Sequence, residues 1–169
     1  MPSIHSRLKS EFVKLFNAKF KVKIRNESEN ELEVTIDGPT DTPYKDGKYI
    51  IFIRLTPDYP YRSPSVGFST KIFHPNIDEK SGSVCLDVLN QYWSPLYDCK
   101  IICESFIPLL LRYPNPSDPL NPEAAALLMK SCDSFNEAVI KHVRANALVS
   151  KKFVGRKTIS DVDSDSLEL

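Results

Sequence analysis

The hydrophobic period of this chain changes once, early, and later disappears. Over residues 3–17, Ile4, Leu8, Phe12, Leu15 and Phe16 fall near helical spacing, and Ser3 stands where an N-cap would. Arg7, Lys9, Glu11 and Lys14 take the other face, so the segment reads as an amphipathic helix. From Phe20 the period is two. Phe20, Val22 and Ile24 alternate with lysines. After the polar turn Asn26–Asn30, Leu32, Val34 and Ile36 alternate with acids and Thr35. Gly38-Pro39 ends that run. Tyr49–Leu55 reads as a central strand, Pro57, Pro60 and Pro64 punctuate, and Val66 with Phe68 makes a short fourth strand. Four consecutive strands with short links predict an antiparallel meander, one face of which the first helix covers.

From Thr70 to Tyr97 no period is visible, and an irregular stretch of that length inside a compact domain tends to be functional. Regular structure resumes at Asp98, a plausible N-cap, with Ile101, Ile102, Phe106, Leu109 and Leu110 as an apolar stripe. Pro108 falls inside that run and predicts a kink. Tyr113–Pro122 carries four prolines and cannot be helical. Asn121-Pro122-Glu123 opens a further helix containing Leu127, Leu128 and Met129. Asp133 is the expected cap of a last helix reaching about Leu148, with Phe135, Val139 and Val143 inward. The order of elements is that of an α+β fold.

After Ser150 the composition shifts. Lys151, Lys152, Arg156 and Lys157 precede Asp161, Asp163, Asp165 and Glu168. Residues 1–150 are therefore expected to form one folded domain, and 151–169 a flexible tail, basic and then acidic. The 22 Lys plus Arg balance 22 Asp plus Glu, which excludes a bulk phosphate binder and gives no polybasic anchor for a membrane. Neither a nucleic acid nor a membrane is expected as a partner. No leader or membrane-spanning run is read, so the expected location is cytoplasmic, nuclear or both. The cysteines at 85, 99, 103 and 132 are then free thiols. Cys99 and Cys103 lack a second pair at zinc spacing, so no metal is expected.

Of the four cysteines, only Cys85 lies in a loop-like setting, where a large partner can reach it. Asn76 is close upstream and offers a neutral carboxamide. Asp118 sits in the rigid Asn115–Pro119 turn and offers a carboxylate. A thiol nucleophile, a neutral oxyanion donor and a rigid acid are parts of an acyl-transfer site.

The run Lys71-Ile-Phe-His-Pro-Asn-Ile-Asp-Glu-Lys-Ser-Gly-Ser-Val-Cys-Leu-Asp87 resembles the active-site signature of ubiquitin-conjugating enzymes, the E2 family. Tyr92-Trp-Ser-Pro95, Pro114-Asn-Pro-Ser-Asp-Pro-Leu120 and the upstream Pro57-Asp-Tyr-Pro-Tyr-Arg-Ser-Pro64 extend it, so that it runs from the first helix to about Leu148. The wording of these loops most resembles the H class of the family. The resemblance implies the UBC fold. It implies that Cys85 takes ubiquitin as a thioester from the activating enzyme and yields it, with a RING-type ligase, to a substrate lysine. Asn76 then stabilises the oxyanion or the loop, and Asp118 orients or activates the lysine. His74, Leu86 and Leu120 support the site. Tyr61, Arg62, Ser94, Pro95 and Leu96 match the loops that ligases grip. Arg7, Lys9 and Lys14 match the region that meets the activating enzyme. No cofactor is implied, because ATP is used by the activating enzyme. The H class further implies large multisubunit RING-type ligases and histone substrates. The rival readings are a conjugating enzyme for another ubiquitin-like modifier, a cysteine hydrolase built on Cys85 and His74, and an inactive ubiquitin-binding variant.

Overall fold

The computed structural model describes residues 2–148, so the expected tail of 151–169 and the end of the expected domain lie outside the described residues. Helix α1 spans Ile4–Asn17 and is capped by Ser3, whose hydroxyl accepts the Ser6 N–H at 3.2 Å. Strands β1 (Lys21–Asn26), β2 (Glu31–Asp37), β3 (Lys48–Arg54) and β4 (Ser65–Phe68) form one antiparallel sheet in the order β1-β2-β3-β4. The expected meander is present. Its register sets Val34 against Ile51 and Ile51 against Phe68, so the apolar positions of successive strands share one face. Leu32, Val34, Ile36, Tyr49, Ile51, Ile53, Val66 and Phe68 are all buried there, in one core with Leu8 and Leu15 of α1.

The outer face of the sheet carries the alternating charges as cross-strand pairs. Lys23 meets Glu33 at 3.0 Å, Arg25 meets Glu31 at 3.0 Å and Arg54 meets Glu31 at 2.7 Å. That face needs no covering layer, which leaves the helices after β4 on the opposite side.

After β4 come α2 (Leu86–Tyr92), α3 (Cys99–Ile101), a π-helical segment (Ile102–Phe106), α4 (Ile107–Arg112), α5 (Pro122–Lys130) and α6 (Cys132–Asn146). Asp98 caps α3 by accepting the Ile101 N–H, and Asn121 caps α5 by accepting the Ala124 N–H. The expected kink at Pro108 takes a particular form. Proline cannot donate to the carbonyl four residues back, and its ring would strike that carbonyl. The helix widens by one residue ahead of it, so that the Ile107 N–H reaches the Ile102 carbonyl. No helix among the described residues is long and apolar enough to cross a membrane.

Several local expectations are corrected. Helix α2 lies inside the stretch expected to be irregular. Glu11, expected on the solvent face of α1, is buried, whereas Phe16 and Leu109, expected inside, are exposed. The cap of α6 is Ser131, which accepts the Ser134 N–H, so Cys132 opens that helix and is exposed.

The free side of β4 is occupied by the loop that leads to Cys85. The Phe68 N–H donates to Gly82 O at 2.8 Å, and the Val84 N–H to Val66 O at 3.0 Å. Gly82 has φ +73°, and a Cβ there would strike the Phe68 carbonyl oxygen. Gly82→Ala is therefore expected to lower the unfolding free energy in urea by more than about 1 kcal/mol. An unchanged midpoint would show that the loop is not held to β4 as described.

Candidate active site

Cys85 stands where the β4-edge segment ends and α2 begins. Its N–H donates to Asn76 O at 2.9 Å, and its carbonyl accepts the Leu89 N–H at 3.1 Å. The residue occupies the N-cap position of α2, but its side chain makes no capping bond. The backbone is thus fixed on both sides while the partly exposed thiol stays free. It opens into a groove of about 430 Å³, lined also by Asp87, Val88, Asn90, Gln91, Asn115, Ser117 and Asp118. Cys99 and Cys103 are buried, and burial pushes both thiols well above their ordinary pKa, so neither is a nucleophile.

The opposite wall is the proline-rich turn, and it is tied to the segment His74–Asn76 by backbone and amide bonds. Pro75 O accepts the Leu120 N–H at 2.9 Å and the Asn121 N–H at 3.0 Å. Asn76 is 1% exposed. Its Nδ2 donates to Asn115 O at 2.7 Å, and its Oδ1 accepts the Asn115 N–H at 2.8 Å. The carboxamide thereby replaces a strand neighbour for one residue of the turn. In this conformation its oxygen and one of its two Nδ2 hydrogens brace a loop, and the side chain is not part of the lining of the thiol groove. Asp118 is exposed on the groove's rim with φ +50°, a left-handed conformation that aspartate tolerates better than most side chains.

His74 is fully buried. Nδ1 accepts the Asn76 N–H at 3.0 Å, so the proton sits on Nε2, which donates to Leu110 O at 2.8 Å. Burial holds its pKa down at about 4, against the modest opposing effect of the Leu110 carbonyl. Protonating Nδ1 would also set one N–H against another. Both ring nitrogens are committed to the backbone, and no lone pair remains for Cys85.

Leu86 and Leu120 do not line the thiol groove. The first turn of α2 directs Leu86 the other way, into a second groove shared with Tyr61, Arg62, Asn90, Trp93 and Pro95. The two loops that form this second groove are joined, because Trp93 Nε1 donates to Pro60 O at 2.9 Å and Ser63 Oγ to Asn90 Oδ1 at 2.8 Å. Tyr61, Arg62, Pro95 and Leu96 are exposed together, Leu96 to 92%, and Ser94 is half-buried between them. The basic residues of α1 are not one cluster. Arg7 and Lys14 are two turns apart on one side, whereas Lys9 lies about 160° around the helix. Lys14 also has partners of its own, Glu11 at 3.1 Å and Asp98 at 3.7 Å.

Asp87, Val88, Asn90, Gln91, Asn115 and Ser117 line the thiol groove without having been singled out from sequence. The first four lie in the two turns that follow Cys85, too short a run to establish a period, and the last two belong to the proline-rich turn. Among the described residues no three His, Cys, Asp or Glu side chains cluster as metal ligands would.

His74 yields a pH dependence. From pH 6.5 down to about 4 the unfolded chain binds a proton at His74 that the folded chain refuses. Its contribution is fully present above pH 6.5 and is lost as pH falls through about 4, a loss of about 3 kcal/mol at ~1.4 kcal/mol per pH unit. Urea unfolding across that range, with the imidazole followed by NMR, checks this. A His74 ring that titrates near 6.5 in the folded protein would refute it.

A family profile described as "Ubiquitin-conjugating enzyme" matches residues 6–143. The chain is 50% identical over 139 residues to "Ubiquitin-conjugating enzyme E2 5" of Arabidopsis thaliana, covering 82% of this chain and 75% of that protein. It is 45% identical over 168 residues to "Ubiquitin-conjugating enzyme E2-24 kDa" of Saccharomyces cerevisiae, covering 98% of this chain and 77% of that one. Among solved structures, the E2 domain of a Toxoplasma gondii ubiquitin conjugating enzyme superposes with a TM-score of 0.72 at 31% identity, over 84% of this chain and 97% of that one. A putative ubiquitin conjugating enzyme from Plasmodium yoelii gives a TM-score of 0.73 at 34% identity, over 84% and 94% of the two chains.

Proposed function

The chain belongs to the ubiquitin-conjugating enzyme family and is an E2 enzyme, and from that premise we propose that Cys85 carries ubiquitin as a thioester and passes it to a lysine. The observation that carries this reading is the placement of Cys85: a thiol free of capping bonds, on a backbone pinned at both sides, in a groove with Asp118 on its rim.

In the first step the Cys85 thiolate attacks the thioester carbonyl on the activating enzyme. A new C–S bond forms, the old one breaks, and the activating enzyme's thiol leaves. ATP is consumed upstream, so the chain itself takes no cofactor. In the second step an uncharged lysine Nζ attacks the Cys85 thioester. A C–N bond forms, the Cys85 thiolate departs, and the amine's proton passes to water or to a carboxylate. The charge of Asp118 alone would raise the lysine's pKa, so its contribution is to align the ammonium and to accept the proton as the bond forms. Asn76 acts through Asn115, holding the turn that carries Asp118. His74 holds the same loop from beneath, and a base role in hydrolysis is disfavoured by its two backbone bonds.

The second groove, with Tyr61, Arg62, Ser94, Pro95 and Leu96, is the proposed dock of a RING-type ligase, and Arg7, Lys9 and Lys14 the proposed contacts of the activating enzyme. The H-class wording of the loops adds multisubunit RING-type ligases and histones as the partners to try first. The cytoplasm and the nucleus are the proposed compartments.

The test is a non-reducing gel after incubation with activating enzyme, ATP and ubiquitin. The parent protein should gain one ubiquitin in a band that thiol reductant removes. Cys85→Ser should give a reductant-resistant band if it loads, and Cys85→Ala none. Asn76→Ala and Asp118→Ala should load normally and discharge to free lysine at least roughly tenfold more slowly. Normal loading of Cys85→Ala would overturn the proposal. A related modifier that loads where ubiquitin does not would reassign the substrate.

A further inference from the structure

Glu11 is a carboxylate with 4% exposure, on a helix whose other inward residues, Leu8 and Leu15, are apolar. Burying a carboxylate costs several kcal/mol unless its oxygens are satisfied. Both are. Oε2 accepts the Cys99 N–H at 2.9 Å, one of the donors that the first turn of α3 leaves without an intrahelical partner. Oε1 accepts Lys14 Nζ at 3.1 Å. Lys14 lies 3.7 Å from Asp98, which itself caps α3. Burial, the largest single effect, would weaken the hold of Lys14 on its proton, but the charge and hydrogen bond of Glu11 together with the charge of Asp98 outweigh it and leave the ammonium pKa above its ordinary value.

From this point a continuous set of contacts leads to both loops of the second groove. Asp98 directly follows the Ser94–Tyr97 loop. Cys99 Sγ lies 3.8 Å from the Tyr59 hydroxyl, the Tyr59 and Trp93 rings are 5.8 Å apart, and Trp93 Nε1 holds Pro60 O. Packing alone would be served by another leucine. A buried acceptor is needed only where a helix start must be held at one distance from α1.

We infer that Glu11 is a positioning residue, which locks the N-terminus of α3 to α1 and so fixes the two ligase-facing loops relative to Arg7 and Lys14. The inference rests on the proposed ligase dock, but its geometry can be tested without a ligase. Two variants separate the acceptor from the shape. Glu11→Met fills the space and removes both acceptors, and Glu11→Gln keeps an acceptor for the Cys99 N–H.

In amide hydrogen exchange of the full chain, Tyr97 and Cys99 should exchange about tenfold faster or more in Glu11→Met, those of Val84 and Leu89 should be unchanged, and Glu11→Gln should stay near the parent. With the ubiquitin-loaded enzyme and a RING domain that stimulates the parent's discharge, Glu11→Met should need roughly fivefold more RING domain or more for half-maximal discharge, at an unaltered maximal rate. Glu11→Gln should restore most of that affinity. Uniformly faster exchange in Glu11→Met would make Glu11 a general stabiliser and overturn the inference, as would exchange identical to the parent's. If no RING domain stimulates the parent, the proposed ligase dock fails, while the exchange result still decides the role of Glu11.

Discussion

A segment without regular structure must still satisfy its backbone donors and acceptors, and in this fold the loop that carries Cys85 does so within its own Asp78–Ser83 turn and, beyond itself, through Pro75, Asn76 and the free side of β4. Pro75 O takes two donors from the proline-rich turn. Asn76 supplies its own carbonyl to Cys85 and its side chain to Asn115. Residues 82–84 borrow the edge of the sheet. Two loops 39 residues apart are thereby held by one buried amide, and the thiol and the carboxylate that face each other across the groove are set by the backbone and not by contacts between the two groups.

The prolines belong to the same economy of donors. The chain has 13 Pro and only 5 Gly. Each proline in the 57–64 and 114–122 stretches removes one N–H that would otherwise need a partner, and it narrows the conformations open to the residue before it. A loop so built loses little entropy when it folds, and the Asn76 amide with the Pro75 carbonyl holds it. Where the chain does need an unusual conformation it uses Gly82, whose φ of +73° brings the loop against Phe68. At Asp118 the same region is occupied by an aspartate, which lifts its carboxylate onto the rim of the groove.

The sheet and the long helices were legible because each has one wet face and one dry face, so period two and period 3.6 are written directly in residues such as Leu32, Val34 and Ile36 or Phe135, Val139 and Val143. Cys85 was legible as a thiol outside any apolar stripe. Helix α2 was not, since seven residues make only two turns, too few for Leu86, Val88, Leu89 and Tyr92 to establish a helical period. The orientation of Asn76 was not, because its partner is 39 residues away in sequence. The direction of Leu86 depends on where α2 begins and could not be read without that helix.

Glu11 was misplaced for a more general reason. A helical pattern assigns polar side chains to solvent, and this holds unless the neighbouring element offers an unpaired donor at the right height. The start of α3 offers one at Cys99, and the carboxylate that meets it brings Lys14 with it. His74 follows the same rule with the signs reversed: an ionisable side chain is buried neutral because two backbone groups, Asn76 N–H and Leu110 O, need one acceptor and one donor in line. In both cases the buried polar residue marks a place where two elements distant in sequence must be held in register. In both, the thing held is a loop that borders an open groove: the thiol groove above His74, and the second groove beyond Glu11. The apolar core fixes the sheet against its helices, and these two polar anchors fix the loops against the core.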